Sequence, residues 1–451
     1  MLERILPSQA SVVMLSELKE RIRFLESENA ELRNRIADLE RLVKLNSSNS
    51  SKPPSSDGPS CIRTSSLRKP SGKKSGGQKG HKGNTLKQVS APDHIFTHAL
   101  AKCNYCSTDL SGVSACATKK RQVFDIPLNK MEVVEHQVLV KQCPKCASLV
   151  QGNFPKGIKA PVQYGANVRA TAVYLMSQQL IPEKRATQMF QDLCGVEISS
   201  DTLASIIKEV SAKIDPEMQM VLEEIKSSPV KHLDETGYNV NGKTHWLHVI
   251  STARHTHYRV SPQRKDIELL EDMDTGVAVH DHYGPYNQLT KVEHAFCNAH
   301  HLRELKACKE IDKEAWASKM YNILKFLHKT RDLDISEVKE AYNKIITSGL
   351  AWHEAQPPPK SKSGRKKRPG HNLLLRLQKK SEGVLRFLTN PQVPFTNNQA
   401  EQDLRMMKVK QKISGCFRTP EGAQRFATIR GFISTKRKQQ CDILCSIAQY
   451  C

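Results

Sequence analysis

The chain has 451 residues, more than one ordinary domain holds, so several folded units are expected. Lysine and arginine number 69 against 46 aspartate and glutamate, a formal net charge of +23, which points to a polyanionic partner, nucleic acid before membrane. No apolar run approaches the ~20 residues of a membrane span, and Met1-Leu2-Glu3-Arg4 lacks a secretory signal's basic start and apolar middle; both argue against a membrane protein and for an intracellular one with reduced cysteines.

Residues 15 to 46 carry a heptad. Leu15, Ile22, Asn29, Ile36 and Val43 fall at a positions, and Leu18, Leu25, Leu32, Leu39 and Asn46 at d. Isoleucine at a with leucine at d favours a parallel two-stranded coil, and a single asparagine at a fixes its register. The pairs Arg21–Glu26, Glu28–Arg33 and Arg35–Glu40 would all attract across such a dimer. The coil therefore predicts a homodimer or higher oligomer built from residues 1–46.

Residues 47–90 are rich in Ser, Gly, Pro and Lys, which predicts a disordered basic linker able to lie on phosphates. Within 91–160 stand Cys103-Asn104-Tyr105-Cys106 and, 36 residues later, Cys143-Pro144-Lys145-Cys146. Two C-x2-C knuckles supply a four-thiolate zinc site that leaves no place for a catalytic water, so Cys103, Cys106, Cys143 and Cys146 are expected to hold structural Zn2+ in a zinc ribbon. Short strands are expected between the knuckles, at Arg121–Pro127 and Glu132–Val140.

From 161 to 228 the pattern is helical, with Leu203, Ile206, Ile207 and Val210 on one stripe behind the capping candidates Ser199 and Ser200. Helices near 183–193 and 201–213 could form a helix-turn-helix. The connection is longer than that motif's usual turn, so ordinary packing is the reading preferred.

Residues 229–440 are read as a catalytic domain. Strands are expected at Val230–Tyr238, Thr244–Ile250 and His255–Ser261, the first two joined by the hairpin turn Asn241-Gly242. A helix near 264–272, a strand at Gly276–Asp281, another at His294–Asn298 and a helix from about 300 follow. That order is the order of a ribonuclease-H-like fold, in which the first and fourth strands are neighbours. Asp234 and Asp281 then approach each other at strand ends. Glu401 joins them from a later helix that Thr396 or Asn397 can cap. Three converging carboxylates are the minimum set for two Mg2+ (or Mn2+) ions, which can activate the attacking oxygen and stabilise the leaving one in phosphodiester cleavage. Arg405 and Lys408 lie four and seven residues after Glu401 and are candidate phosphate contacts, as is Arg418 in the basic stretch that follows. His280, His282 and the pair Cys297/His300 have metal-ligand chemistry, but Cys297 is read as core and His300 as a helix-start residue that could contact DNA or the site.

Residues of about 302–393 read as a helical insertion with a basic break at 360–370, and 441–451 as a short tail. The fold class expected is thus multidomain, α+β and α/β: an N-terminal coiled coil, a small zinc ribbon, and a ribonuclease-H-like core carrying a helical insertion.

These segments together resemble the transposases of insertion-sequence family 66, a bacterial DDE-type group. The matching pieces are the zipper, Asn46-Ser47-Ser48-Asn49-Ser50-Ser51-Lys52-Pro53-Pro54, the paired knuckles, Asp234-Glu235-Thr236, Asp281-His282-Tyr283-Gly284-Pro285-Tyr286, Cys297-Asn298-Ala299-His300-His301-Leu302-Arg303, and Pro394-Phe395-Thr396-Asn397-Asn398-Gln399-Ala400-Glu401-Gln402-Asp403-Leu404-Arg405. The resemblance implies Asp234, Asp281 and Glu401 as the metal-binding triad. It also implies metal-dependent strand cleavage and transfer at the inverted-repeat ends of a bacterial element. Double-stranded DNA and accessory proteins of the same element would be partners, and the protein would lie in the cytoplasm with the nucleoid. One departure is visible: eleven residues follow Gln440, where family members often continue, and a truncated copy is expected from this. Two other readings stay open, a DNA-binding remnant or regulator without catalysis, and a stand-alone structure-specific nuclease.

Overall fold

The structure is a computed structural model that describes residues 9–50, 88–98, 101–115, 117–124, 131–142, 144–357 and 367–451. Most of the expected basic linker, Cys143 and residues 360–366 of the basic break lie outside these residues.

Helix α1, Gln9–Lys44, carries the heptad. Leu15, Leu18, Ile22, Leu32, Ile36 and Leu39 are each more than half exposed, so the single chain leaves the apolar seam bare. The helix stops at Lys44, short of the heptad's last position, because Asn46 and Asn49 fold the chain into a turn. Asn49 donates its side-chain amide to the Lys44 carbonyl (3.0 Å) and accepts the Asn46 N–H (2.8 Å). The turn is docked rather than loose: Ser47 and Asn49 are buried, Lys306 donates to Ser48 Oγ (3.2 Å), and Arg41 grips Asp312 through two bonds of 2.8 and 3.0 Å.

The cysteine-rich segment holds a two-stranded antiparallel ribbon, β1 (Val140–Gln142) and β2 (Leu149–Gln151). It brackets the second knuckle instead of lying between the two. Of the strands expected there, described residues 121–124 and 132–139 form none, and only Val140 of the second joins β1. Val123, Val133, Val134 and Leu139 stay exposed with nothing packed on them, and alternation alone does not make a ladder.

The main body begins with α2 (Ala166–Val173), continued by a π-helical turn at Tyr174–Gln178, then α3 (Glu183–Cys194) and α4 (Ser200–Ser227). Ser199 caps α4 by accepting the Thr202 N–H (3.1 Å). Leu203, Ile206, Val210, Ile214, Met218 and Ile225 are all buried, so the stripe of α4 is a packing face.

Five strands follow: β3 (Val230–Val240), β4 (Lys243–Ser251), β5 (Thr256–Ser261), β6 (Val277–His280) and β7 (Glu293–Phe296). They form one mixed sheet in the order β5-β4-β3-β6-β7, antiparallel through β5, β4 and β3 and parallel through β3, β6 and β7. The β3–β4 hairpin turns at Asn241 and Gly242, both with positive φ, and Gly242 N–H binds Asn239 Oδ1 (2.9 Å). The helix expected at 264–272 is only a 3-10 turn at Glu268–Leu270. Asp266 competes with helix formation there by accepting the Glu268 N–H (3.1 Å).

Seven helices complete the chain: α5 (Asn298–Glu310), α6 (Ala315–Lys329), α7 (Ile335–Glu354), α8 (Pro369–Lys379), α9 (Ser381–Thr389), α10 (Asn398–Ser414) and α11 (Pro420–Lys438), ahead of a last short one, α12 (Ile443–Ala448). Side chains alternate across a strand, and the sheet is covered accordingly. Leu233, Ile250 and Ala278 share a core with α4 and with Ile429, Phe432 and Ile433 of α11. Val277, Val279 and Ala295 face the other way, into the core of the α5–α9 insertion. Tyr238, Val240, Leu247 and Val249 pack on Leu404 and Met407 of α10. The insertion is pinned where α9 crosses β7. A Cβ at Gly383 would stand 2.6 Å from the Phe296 ring and 2.9 Å from the His294 carbonyl. The tail packs too: Ile447 is buried, and Tyr450 stands edge-on to Phe432.

The architecture is therefore mixed α/β, with a five-stranded mixed sheet between helices and a long N-terminal helix. It is consistent with a ribonuclease-H-like core.

Candidate active site

The register of the sheet brings the first two acids together. His232 of β3 pairs with Val279 of β6. Two residues further along each chain come Asp234 and Asp281. Asp234 does not end its strand as expected: β3 runs six residues beyond it, with Asp234 opposite Val249 of β4. It is β6 that stops, at His280, so that Asp281 sits just past the strand end and its Oδ1 accepts the Tyr283 N–H (2.8 Å). Asp234 Oδ1 is held similarly by the Glu235 N–H (2.9 Å).

Glu401 reaches the acids because Asn397 fixes the start of α10. Asn397 was expected to cap the helix. It occupies the N-cap position, but its side chain makes no capping bond. Instead Asn397 is 2% exposed, and its amide donates to the carbonyl of Leu233, the residue before Asp234 (2.7 Å). Since the amide nitrogen donates, Oδ1 must accept, and it takes the His232 Nδ1 proton (2.9 Å). The Asn397 backbone N–H points to Cys297 Sγ (3.1 Å), and Asn298 N–H binds the Phe395 carbonyl (3.1 Å). One buried residue thus ties the α10 start to β3 and to the end of β7.

All three carboxyls hold their protons more tightly than usual, and Asp281 acts on both of the others. Burial raises the pKa of Asp234 well above the ordinary carboxylate value, helped by the charges of Glu235, Asp281 and Glu401. Burial also raises Asp281, with Glu235 adding to it. Glu401 is raised by burial and by Asp281, against the pull of Arg303 and Arg405. Half-buried acids that repel each other are short of positive charge, which a divalent cation would supply; three oxygen donors suit a hard ion.

Asp234, Glu235, Thr236, Glu401, Leu404, Arg405 and Lys408 line an open cleft of about 230 Å³. Arg405 is exposed at its rim, and Lys408 is tied to the Gly237 carbonyl. Arg418 is exposed but elsewhere: its neighbour Phe417 bridges to Val240 at the hairpin tip, roughly 20 Å along β3 from Asp234 at ~3.3 Å per residue. Asp281 is not among the lining residues.

Several participants were not singled out by sequence reasoning. Glu235 points to the opposite face from Asp234, nearly fully buried, where Arg264 (2.8 Å) and the Tyr286 hydroxyl (2.8 Å) neutralise and satisfy it. Arg264 is itself sandwiched over the rings of Trp246 (4.8 Å) and Tyr283 (4.4 Å). In Asp234-Glu235-Thr236 the second acid carries no sequence signal of a buried ion pair. Behind Asp281, His282 Nε2 meets His301 Nε2 (2.5 Å), and His301 Nδ1 meets Asn298 Oδ1 (2.8 Å). Asn298 donates its amide to the Val384 carbonyl (3.0 Å), which makes Oδ1 the acceptor and passes donation up the chain from His282 to His301 to Asn298. Burial keeps this relay neutral, lowering His282 to about 3 and His301 well below its usual value. His282 is therefore a packed, neutral ring. Cys297 is buried, but His300 and Glu401 gather around it: all three offer ligand atoms within 4.8 Å of one another. Their convergence spans 104 residues, which no local spacing encodes.

At the knuckles, Cys103 N–H binds the Thr108 carbonyl and Ser107 N–H the Cys103 carbonyl (both 2.9 Å). Ser107 (φ 59°) and Ala147 (φ 56°), each just after the second cysteine of its pair, adopt the same left-handed conformation. The two turns are alike, although Cys143 lies outside the described residues.

Two outcomes follow from this geometry. Asn397→Ala would leave the Leu233 carbonyl and the His232 ring without partners and cost about 1–3 kcal/mol, read by urea unfolding; a change below about 0.5 kcal/mol would contradict the clamp. The raised Asp234 pKa means the folded state binds its proton more tightly than the unfolded chain, so stability is full below the ordinary carboxylate pKa of 3.8 and falls as pH rises above it. In metal-free protein, Asp234→Asn should then melt higher than wild type at pH 7, with the gap closing toward pH 4. Equal melting at both pH values would contradict it.

A family model described as Transposase IS66 family matches residues 161–425, more than half of the chain. A second, described as a family of unknown function (DUF6444), matches residues 4–87. A search of the curated proteins found no match. The span of the first model takes in the whole sheet, all three acids and the clamp at Asn397, and the chain belongs to the IS66 transposase family.

Proposed function

We propose that the protein is a DDE transposase that cuts and joins DNA at the ends of an insertion sequence through Asp234, Asp281 and Glu401. The observation that carries this reading is geometric: Asp234 and Asp281 each stand two residues beyond the paired His232 and Val279, and the start of the helix that carries Glu401 is bonded to Leu233. Two magnesium or manganese ions held by them would activate the attacking water or 3′-hydroxyl and stabilise the leaving oxygen. The chain's own part is positional. Asp234 and Asp281 present oxygens already oriented by backbone N–H groups, so little reorganisation is needed. Glu401 comes from a helix anchored on the strand that carries Asp234. Arg405, at the rim of the same cleft, meets the phosphate of the strand being cut, and Lys408 adds positive charge one helical turn on.

The remaining parts of the reading are a DNA-binding periphery and a dimer. The bare seam of α1 is covered by the seam of a second copy in a parallel coil. Cys103, Cys106, Cys143 and Cys146 hold structural zinc; the paired left-handed turns support two equivalent knuckles. Arg418, on a loop far from the acids, would contact DNA beyond the reacting strand. The formal charge of +23 makes binding strongly salt-dependent.

The test is strand transfer by the full chain on a labelled element-end fragment with Mg2+. Asp281→Asn should lose roughly 10²- to 10⁴-fold in rate, several kcal/mol at about 1.4 kcal/mol per tenfold, while still shifting the fragment in a gel. Equal rates in mutant and wild type would contradict the triad. No reaction by either, with the fragment still bound, would make the protein a regulator or remnant. Cleavage without joining would make it a nuclease.

A further inference from the structure

Beside the triad, on the side of Glu401 toward β7, lies a donor set of a different chemical kind. Cys297 Sγ is 3.9 Å from Glu401 Oε1, and His300 Nδ1 is 4.0 Å from the same oxygen. All three ligand atoms lie within 4.8 Å of one another.

The scaffold that presents them is well braced. Cys297 follows β7 and donates its N–H to the His280 carbonyl (2.9 Å). His300 stands three residues on, in the first turn of α5, which puts the two side chains on one face. Glu401 arrives on the first turn of α10, and the Asn397 that fixes that turn also donates its N–H to Cys297 Sγ (3.1 Å). The sulfur is thus already an acceptor, as a metal thiolate is. A separate observation points to a ligand: His300 Nδ1, the ring nitrogen on the Glu401 side, is buried and has no hydrogen-bond partner among the described residues. Its other nitrogen contacts Arg303 Nη2 (3.4 Å).

We infer that Cys297, His300 and Glu401 form a second cation site, for a borderline-soft divalent ion of the zinc type. The donor set selects the ion: sulfur and imidazole nitrogen suit zinc and are poor ligands for magnesium. Zinc bonds of about 2.0–2.3 Å at tetrahedral angles put one sulfur, one nitrogen and one oxygen roughly 3.3–3.6 Å apart, so the spacings of 3.9 and 4.0 Å to Glu401 need to close by about half an ångström, and the third, within 4.8 Å, by up to about an ångström. Three protein ligands leave a fourth position open to water. As the metal–sulfur bond forms, the Cys297 thiol gives up its proton to solvent. Arg303, 3.9 Å from the same Glu401 oxygen, opposes the incoming charge and keeps the site weaker than a four-thiolate one. Because Glu401 is shared, zinc here competes with the oxygen-bound ions of the triad for the third acid. That last consequence rests on the transposase reading; the binding itself does not.

The experiment counts zinc per chain by elemental mass spectrometry on the full chain, equilibrated in a zinc-buffered solution containing excess magnesium. Wild type is compared with Cys297→Ser, His300→Gln and, as the knuckle reference, Cys103→Ser/Cys106→Ser. The inference expects Cys297→Ser and His300→Gln each to bind one zinc fewer than wild type, or to bind it at least about tenfold more weakly, with the reference variant losing a different zinc. Melting curves report folding; should Cys297→Ser fail to fold, His300→Gln, at the half-buried position, decides. Folded variants that bind as much zinc as wild type at the same affinity would overturn the site. Zinc loss in the variants of a protein that shows no strand transfer would uphold the site and count against the transposase reading instead.

Discussion

Asn397 is the constraint on which the active-site geometry depends. Its amide donates to the Leu233 carbonyl, its oxygen accepts from His232, and its backbone N–H meets Cys297. A buried side-chain amide with its bonds made is positioned to within tenths of an ångström, and leaving those bonds unmade is costly. The consequence is geometric: the helix that carries Glu401 starts one residue away, across the strand, from Asp234. The chain can therefore separate its second and third acids by a whole helical insertion without losing their convergence. The insertion packs its own core against β6 and β7, and Gly383 lets α9 approach β7 closely enough to leave the α10 start undisturbed.

Electrostatics works against this convergence and is what makes it useful. Three acids with raised proton affinity weaken the metal-free fold at neutral pH. The surrounding charges offset this only in part: Arg264 and Arg376 lower Asp281, Arg303 and Arg405 lower Glu401, and the histidines behind Asp281 are neutral. What remains is a site with excess negative charge facing an open cleft, beside cationic Arg405.

Much of this was legible in the sequence, for physical reasons. Apolar alternation marked the five strands, Asn241-Gly242 marked their hairpin, and the polar interruption of apolar runs marked Asp234 and Asp281. The helical insertion showed its periodicity. Other features needed the third dimension. β3 runs to Val240, two residues past the expected end at Tyr238, because β4 pairs with it up to the hairpin turn. The helix expected at 264–272 shrank to one turn under a local side-chain bond. Asn397 looked like a cap because a cap and a buried bridge use the same residue type. The Ser-rich stretch after the coil looked like linker, yet Ser47 and Asn49 are buried at its start. Cys297 and His300 acquired a third partner only through the fold.

Asp234, Asp281 and Glu401 can act as a catalytic triad only if they bind metal together. The direct measurement is anomalous diffraction from crystals of the full chain soaked in Mn2+. Manganese should appear within bonding distance of oxygens from all three residues. Manganese bound elsewhere, or held by two of the acids with Glu401 turned away, would contradict it.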